Sequence, residues 1–110
     1  MIPKKVLKPW GWELWFAHSK HYVGKIIFVK KGHRLSKQYH RFKHETVYGQ
    51  IGRWVLEIGT RKRQMKPGDA AAVHPRVVHR FTAPFEDVYL LEVSTPHVKD
   101  VVRLEDDYGR

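Results

Sequence analysis

The sequence contains no cysteine and no long apolar run, and both absences narrow the classes of protein that it can encode. Without cysteine the chain has neither disulfide bonds, nor thiolate zinc sites, nor a cysteine nucleophile. No apolar run approaches the roughly 18–20 residues that a membrane-spanning helix needs, and the first residues lack the apolar stretch of a signal peptide. These absences predict a cytoplasmic protein that does not contact a membrane.

Acidic residues are also scarce, since 11 Asp and Glu stand against 21 Lys and Arg and give a formal charge of +10. A field this positive favours anionic partners such as sugar phosphates, nucleotides or nucleic acid. The densest basic groups, Lys30–Arg34 and Arg61–Arg63, are typical of turns between strands, where charged side chains lie in water. We expect an anionic small molecule as the partner, and nucleic acid is the weaker option because no nucleic-acid-binding motif is present. The alternative is that the charge only makes a solvated, soluble surface.

No segment has helical periodicity, and the chain instead divides into short β-rich runs separated by turns. The runs predict strands at Trp12–Ala17, Tyr22–Lys30, Ser36–Arg41, Glu45–Ile51, Trp54–Ile58, Ala70–Val73, Val77–Phe81 and Val88–Val93. Many short strands with turns roughly every 8–12 residues are typical of a sandwich or barrel. The sequence therefore predicts one all-β domain over residues 1–110, with an N-terminal arm (1–11) and a C-terminal tail (98–110).

Four polar residues stand at intervals that suit a metal site, and they are Gln38, His40, Glu45 and, on a later segment, His79. Gln38 and His40 are two residues apart, so they share one face of a strand, and Glu45 opens the next strand. Two imidazoles, a carboxylate and a neutral donor suit one divalent ion of zinc, manganese, iron, cobalt or nickel. The alternative is an internal hydrogen-bond network of Gln38, His40 and Glu45 that holds no metal.

This spacing resembles a known pair of motifs. The pattern Gly-x5-Gln-x-His-x4-Glu-x6-Gly, from Gly32 to Gly52, is similar to the first cupin motif, with Gln38 at the position of its first histidine. In the second cupin motif, Gly68 matches the first glycine and His79 the metal histidine. The resemblance implies a single-domain cupin, which is a double-stranded β-helix or jelly-roll barrel, whose metal ligands are the four residues named above.

Within the cupins the resemblance narrows to the type II phosphomannose isomerases. Lys8-Pro9-Trp10-Gly11 is similar to their Arg-Pro-Trp-Gly opening, and glutamine at the first ligand position is a feature of that group. The ending Val102–Arg110 is close to their Val-Arg-x-x-Asp-x-Tyr-Gly-Arg. The resemblance implies isomerisation of mannose 6-phosphate to fructose 6-phosphate. Cupins also often form homodimers through their sheets, so we expect most of the four tryptophans in the core or at a dimer interface.

An aldose–ketose isomerisation needs a base, a Lewis acid and a cation that holds the phosphate. Glu92 lies in the apolar run Leu90–Val93, where burial would raise its pKa into a range useful for a base. The alternative is that Glu92 lies on the outer face or pairs with an arginine. Arg110 is the first candidate to bind the phosphate, by resemblance to the Tyr-Gly-Arg ending. Glu92 and Arg110 are together the predicted catalytic residues. Arg34 and Lys43 are local candidates for the same contact.

Two other functions fit the same residues. A cupin that binds a sugar or nucleotide sugar without catalysis is favoured by Phe42 and Lys43, which stand where the isomerases have a histidine run. A mononuclear iron oxygenase is the second, because His40, Glu45 and His79 alone form a 2-His-1-carboxylate set with open coordination positions. The basic surface argues against the apolar substrate of an oxygenase.

Overall fold

The computed structural model describes residues 2–110 and forms two antiparallel sheets, with no helix in this part of the chain. The strands are β1 (Lys4–Lys8), β2 (Gly11–His18), β3 (Val23–Val29), β4 (His33–Arg34), β5 (Lys37–Tyr39), β6 (Glu45–Ile51), β7 (Trp54–Ile58), β8 (Arg61–Met65), β9 (Ala70–Val73), β10 (His79–Ala83), β11 (Val88–Ser94) and β12 (Val102–Glu105). The first sheet has the order β1-β2-β3-β11-β6-β9 and the second β12-β5-β10-β7-β8, with β4 paired to β10. The all-β prediction is confirmed. The described residues include no helix long and apolar enough to cross a membrane.

Alternating burial along the strands places the core between the two sheets. On β6, for example, Glu45, Val47 and Gly49 are buried while the residues between them are exposed. The core takes apolar side chains from both sheets, and its buried members are Trp10, Ile27, Val29, Leu35, Val47, Trp54, Leu56, Met65, Phe81, Ala83, Val88 and Leu90. Full burial of one large apolar side chain contributes about 1.5–3 kcal/mol, so this cluster is the main source of stability.

The inward positions change from apolar to charged at one level of the first sheet. Across β3 and β11, Val29 is opposite Val88 and Ile27 is opposite Leu90, but the next inward pair is Lys25 opposite Glu92. Lys25 and Glu92 are nevertheless buried. One end of the space between the sheets is therefore an apolar core, and the other end holds charged side chains.

Three segments that were predicted to lie outside strands are strands. Residues 1–11, predicted as an arm, contain β1, which pairs with β2 from Lys4 opposite Trp15 to Lys8 opposite Gly11. Residues 98–110, predicted as a tail, contain β12, which pairs with β5. The basic run predicted as a turn begins β8. All three lie at sheet edges, where charged side chains are tolerated and no apolar alternation is needed.

The eight strands predicted from apolar runs are present, and β6, β7 and β9 have the predicted bounds. The strand predicted at Ser36–Arg41 is shorter than predicted, because β5 covers only Lys37–Tyr39 and leaves His40 in a loop. The carbonyl of His40 accepts a hydrogen bond from the Arg76 N–H at 2.6 Å. Arg76 has a φ of 69°, a left-handed conformation that favours glycine. The backbone carbonyl of His40 is therefore hydrogen bonded to this turn and not to a neighbouring strand.

Candidate functional site

The structure brings His40, Glu45 and His79 together between the two sheets. All three residues are buried, and their candidate ligand atoms lie within 4.8 Å of one another. Glu45 Oε1 is 3.2 Å from His79 Nε2 and 3.8 Å from His40 Nε2. Glu45 opens β6 in the first sheet and His79 opens β10 in the second, so the group joins the two sheets.

Backbone carbonyls fix the direction in which the two imidazoles point. His40 Nδ1 is hydrogen bonded to the carbonyl oxygen of Asp100 at 2.5 Å, and His79 Nδ1 to that of Val77 at 2.9 Å. Because a carbonyl only accepts, each Nδ1 donates and each Nε2 of the neutral ring keeps a lone pair. Burial, helped by the Lys43 ammonium, lowers the pKa of His40. The His40 imidazole is therefore neutral near pH 7, which is the form that binds metal.

The ligand atoms of these three side chains form a set that suits a metal cation. Within residues 2–110, neither Nε2 atom has a hydrogen-bond partner, and both face a carboxylate oxygen, which is also an acceptor. A buried polar atom without a hydrogen-bond partner is costly, and two such nitrogens lie here beside one carboxylate oxygen. A divalent ion removes that cost, since imidazoles and carboxylates are its ordinary ligands. The metal-free hydrogen-bond network of Gln38, His40 and Glu45 stays the alternative to a metal site.

Gln38 lies beside this group but already has a hydrogen-bond partner. It is opposite His79 across β5 and β10, and it lines the same cavity as His40 and Glu45. Its Oε1 accepts a hydrogen bond from the Ser36 hydroxyl at 2.6 Å. The role of Gln38 as a fourth metal ligand stays a prediction.

Lys43 is buried between two carboxylates. Its Nζ is 3.0 Å from Glu45 Oε2 and 3.1 Å from Glu92 Oε2. Burial by itself lowers the pKa of Lys43, but the two carboxylates raise it above its ordinary value. In the same way, burial acts to raise the pKa of Glu45, but the His79 imidazole and the Lys43 ammonium hold it well below its ordinary value. Glu45 therefore turns Oε1 toward the imidazoles and Oε2 toward the lysine.

Glu92 faces inward and is buried. Burial, together with the charge of Glu45, raises the pKa of Glu92 to about 7, against the opposite effects of Lys43 and Lys25. Neither alternative considered for this residue, an outer-face position or a pairing with arginine, is what the structure shows. A carboxyl group with this pKa can both take up and release a proton near neutral pH.

A cavity of about 110 Å³ lies beside these residues and continues the charged level of the first sheet. On one wall, Lys25 Nζ is 3.4 Å from Glu13 Oε1 and 4.6 Å from the centroid of the Trp15 ring. Trp15 Nε1 donates to the same Glu13 oxygen at 2.9 Å. Charged groups and one aromatic ring on the wall suit a polar ligand.

No motif in the sequence points to Asp100, yet it holds the loop that carries His40. Its carboxylate accepts hydrogen bonds from the backbone N–H groups of Arg41, Phe42 and Lys43 at 3.0, 2.7 and 3.0 Å. Burial acts to raise the pKa of Asp100, but these three bonds outweigh it and lower the pKa to about 2. Its own carbonyl accepts the hydrogen bond from His40. Asp100 thus positions one metal-ligand candidate and the lysine beside another.

The structure separates the three cations that were predicted to bind phosphate. Arg34 donates to both carboxylate oxygens of Asp107, at 2.6 and 2.9 Å, and it does not line the cavity. Lys43 is the buried lysine described above. Arg110 is exposed and lines the cavity, with its Nε donating to Asp106 at 2.9 Å. Of the three, Arg110 alone reaches the cavity from the solvent side.

A family model described as a cupin domain matches residues 25–94, which is more than half of the chain. The chain belongs to the cupin family. Its two facing antiparallel sheets are accordingly the double-stranded β-helix that the motif spacing predicted.

Several solved structures share the fold of this cupin. KdgF from Halomonas sp. is 18% identical, with a TM-score of 0.78. The match covers 88% of this chain and 87% of KdgF. The capsular polysaccharide assembling protein CapF from Staphylococcus aureus is 13% identical, with a TM-score of 0.82. The match covers 94% of this chain and 34% of CapF. A candidate sugar phosphate isomerase from Acidithiobacillus ferrooxidans is 19% identical, with a TM-score of 0.62. The match covers 67% of this chain and 49% of the isomerase candidate.

The cupin chain therefore spans less than half of CapF and of the isomerase candidate. At these identities the similarity shows a shared fold alone. No curated protein matches the sequence.

Proposed function

We propose that this cupin is a metal-dependent aldose–ketose isomerase of a phosphorylated sugar, with mannose 6-phosphate and fructose 6-phosphate as the substrate pair. The observation that carries the proposal is the buried His40–Glu45–His79 group beside a polar cavity that also contains buried Glu92. The reaction is suggested by the resemblance of the sequence to type II phosphomannose isomerases. The fold similarity to a sugar phosphate isomerase candidate and to a polysaccharide assembling protein agrees with a sugar ligand.

His40, Glu45 and His79 would hold the metal, with Gln38 as the candidate fourth ligand. When bound, a divalent ion of zinc, manganese, iron, cobalt or nickel supplies a Lewis acid for the oxygens of the sugar. Asp100 and Val77 keep the two imidazoles oriented toward that ion through the backbone carbonyls described above.

Glu92 is the candidate base. Conversion of an aldose to a ketose moves one proton from C2 to C1 and one from the O2 hydroxyl to O1, so the composition of the sugar does not change. We assign the first transfer to the Glu92 carboxylate, which takes the proton from C2 and returns it to C1. Lys43, 3.1 Å away, holds this carboxylate at the wall of the cavity. Arg110, which lines the cavity, would bind the phosphate.

A coupled isomerase assay with mannose 6-phosphate tests the reaction, with metal-free protein reloaded separately with each candidate ion. We expect turnover with at least one ion, and a loss of about 100-fold in kcat for Glu92→Gln at unchanged metal content. Glu86→Gln, which changes an acid outside the cavity, is the matched control and should keep its activity. If folded protein shows no turnover with any ion, the isomerase proposal is wrong.

Elemental analysis tests the metal site separately from the reaction. We expect about one equivalent of divalent metal in the wild-type protein and a large loss in His79→Ala, because His79 supplies one of three ligands. Equal metal content in the two proteins would overturn the ligand assignment.

A cupin that binds a sugar without catalysis is the second candidate, and one specific observation favours it. Lys43 pairs with Glu92, and an ammonium group beside a carboxylate makes that carboxylate a weaker base. Binding of mannose 6-phosphate without turnover is the result expected for this alternative. The iron oxygenase would use the same three ligands, and oxygen consumption by iron-loaded protein would identify it instead.

A further inference from the structure

Three cations that belong to different parts of the chain line the cavity on its solvent side. Lys8 ends β1, Arg103 lies on β12, and Arg110 follows that strand. Since β1 is the edge strand of the first sheet and β12 the edge strand of the second, the cavity is flanked by cations from both sheets. Lys8 is half-buried, whereas Arg103 and Arg110 are exposed.

These cations act on one another. Burial lowers the pKa of Lys8, and the positive charges of Arg110, Lys25 and Arg103 lower it further, while Glu13 acts in the opposite direction. Like charges held together in a partly buried place destabilise one another, and a bound anion relieves that repulsion.

Carboxylates do not balance the three charges. Arg110 is paired with Asp106. In the part of the chain that the structure describes, neither Lys8 nor Arg103 forms a side-chain hydrogen bond or an ion pair. Two cations at the cavity thus keep their donors available for a ligand.

We infer that Lys8, Arg103 and Arg110 form an anion site that binds the phosphate monoester of the ligand. The identity of the ligand rests on the proposed function, and the new assignments are Lys8 and Arg103. The guanidinium of Arg103 offers paired N–H donors that match two phosphate oxygens, and Lys8 adds a compact charge from the opposite sheet. The phosphate then lies at the solvent side of the cavity and leaves the inner, metal-binding end to the sugar.

Calorimetric titration of metal-free protein with mannose 6-phosphate, mannose and inorganic phosphate tests this site without turnover. The test variant is Lys8→Gln/Arg103→Gln. The control is Lys20→Gln/Arg61→Gln, which removes the same charge from two exposed positions outside the cavity. We expect mannose 6-phosphate to bind the wild-type protein more tightly than mannose does. We expect the test variant to lose about 100-fold in affinity, roughly tenfold for each charge-assisted contact, and the control about twofold at most.

Equal weakening in the test and control variants would show that only general surface charge matters and would overturn the site. Affinity that is unchanged in the test variant, or mannose that binds as tightly as its phosphate, would also overturn it. Inorganic phosphate that binds as tightly as mannose 6-phosphate would overturn a sugar phosphate as the ligand.

The binding experiment and the isomerase assay can fail independently. Loss of affinity confined to the test variant, in a protein without turnover, supports the anion site and overturns the reaction. Turnover in a protein whose affinity does not depend on Lys8 and Arg103 supports the reaction and overturns the anion site. Thermal unfolding checks that both variants are folded, and we expect this because the changed side chains lie outside the apolar core.

Discussion

A single ammonium group lies between two carboxylates of the site. Lys43 contacts Glu45 and Glu92, and all three side chains are buried. A buried ion pair adds little net stability compared with apolar residues of similar volume, but removal of one partner leaves the other charge without compensation. The three residues should therefore respond to substitution as a unit.

We expect Lys43→Met to lower the free energy of unfolding by about 3 kcal/mol, because two buried carboxylates then lose the cation that lies between them. Lys43→Met/Glu92→Leu should lose less than Lys43→Met alone, since one of those carboxylates is gone. Urea unfolding of the metal-free proteins measures both values. Lys62→Met, at an exposed lysine that pairs with Glu57, is the control and should change stability by less than about 1 kcal/mol. A double variant that is as unstable as the single one would contradict this account.

Residue spacing predicted that His40, Glu45 and His79 lie together, but it did not predict the residues that support them. These residues could be grouped because their spacing resembles the cupin motifs, and strand alternation places the side chains of Glu45 and His79 inward. Lys43 had no sign of burial in the sequence, since it stands in a polar run beside exposed Arg41 and Phe42. Its backbone partner Asp100 is 57 residues further along the chain, and only the tertiary fold brings them together.

At the scale of elements, the loop after β5 depends on the segment after β11. The N–H groups at positions 41–43 have no neighbouring strand, and the Asp100 carboxylate accepts all three. One side chain here takes the place of a strand edge. The loop in turn carries His40 and Lys43, so its position decides the geometry of the site.

We expect Asp100→Ala to weaken metal binding by about tenfold, because the loop that presents His40 loses three hydrogen bonds. Competition with a chelator of known affinity measures the effect. Asp107→Ala, which removes an acid of the same C-terminal segment that pairs with Arg34, should leave metal affinity unchanged. If Asp100→Ala is folded and binds metal as tightly as the wild-type protein, the loop has another support.

Elements with apolar alternation were predictable, and edge elements were not. β6, β7 and β9 have the predicted bounds because their inward side chains alternate with outward ones. β1, β8 and β12 pair on one side only and carry charged residues. The turn at Arg76 was also hidden, since a positive φ is predicted from glycine and this residue is an arginine.

At the scale of the whole molecule, the outer face of the first sheet carries three aromatic side chains in mutual contact, Trp12, Phe28 and Tyr89. The ring centroids of Trp12 and Phe28 are 5.3 Å apart, and those of Phe28 and Tyr89 are 4.9 Å apart. The other tryptophans lie elsewhere, with Trp10 and Trp54 in the core and Trp15 at the cavity. The homodimer stays a prediction, and this outer face is its candidate interface.

We expect the wild-type protein to have twice its chain mass of 13.1 kDa in size-exclusion chromatography with light scattering. Phe28→Lys should be a monomer, because it places a charge in the centre of the apolar face. Phe85→Lys, at an exposed aromatic residue outside that face, should remain a dimer. Wild-type protein of single mass would overturn this prediction.

The contacts of Asp100 also bear on the order in which the protein matures during synthesis. The buried members of the apolar core all precede residue 91, and β11 ends at Ser94. A nascent chain released from the ribosome up to that point already has most of its core, but the carbonyl that orients His40 and the carboxylate that holds the following loop have not yet emerged. We therefore expect a chain that ends at Ser94 to bind a divalent ion less tightly than the full chain does.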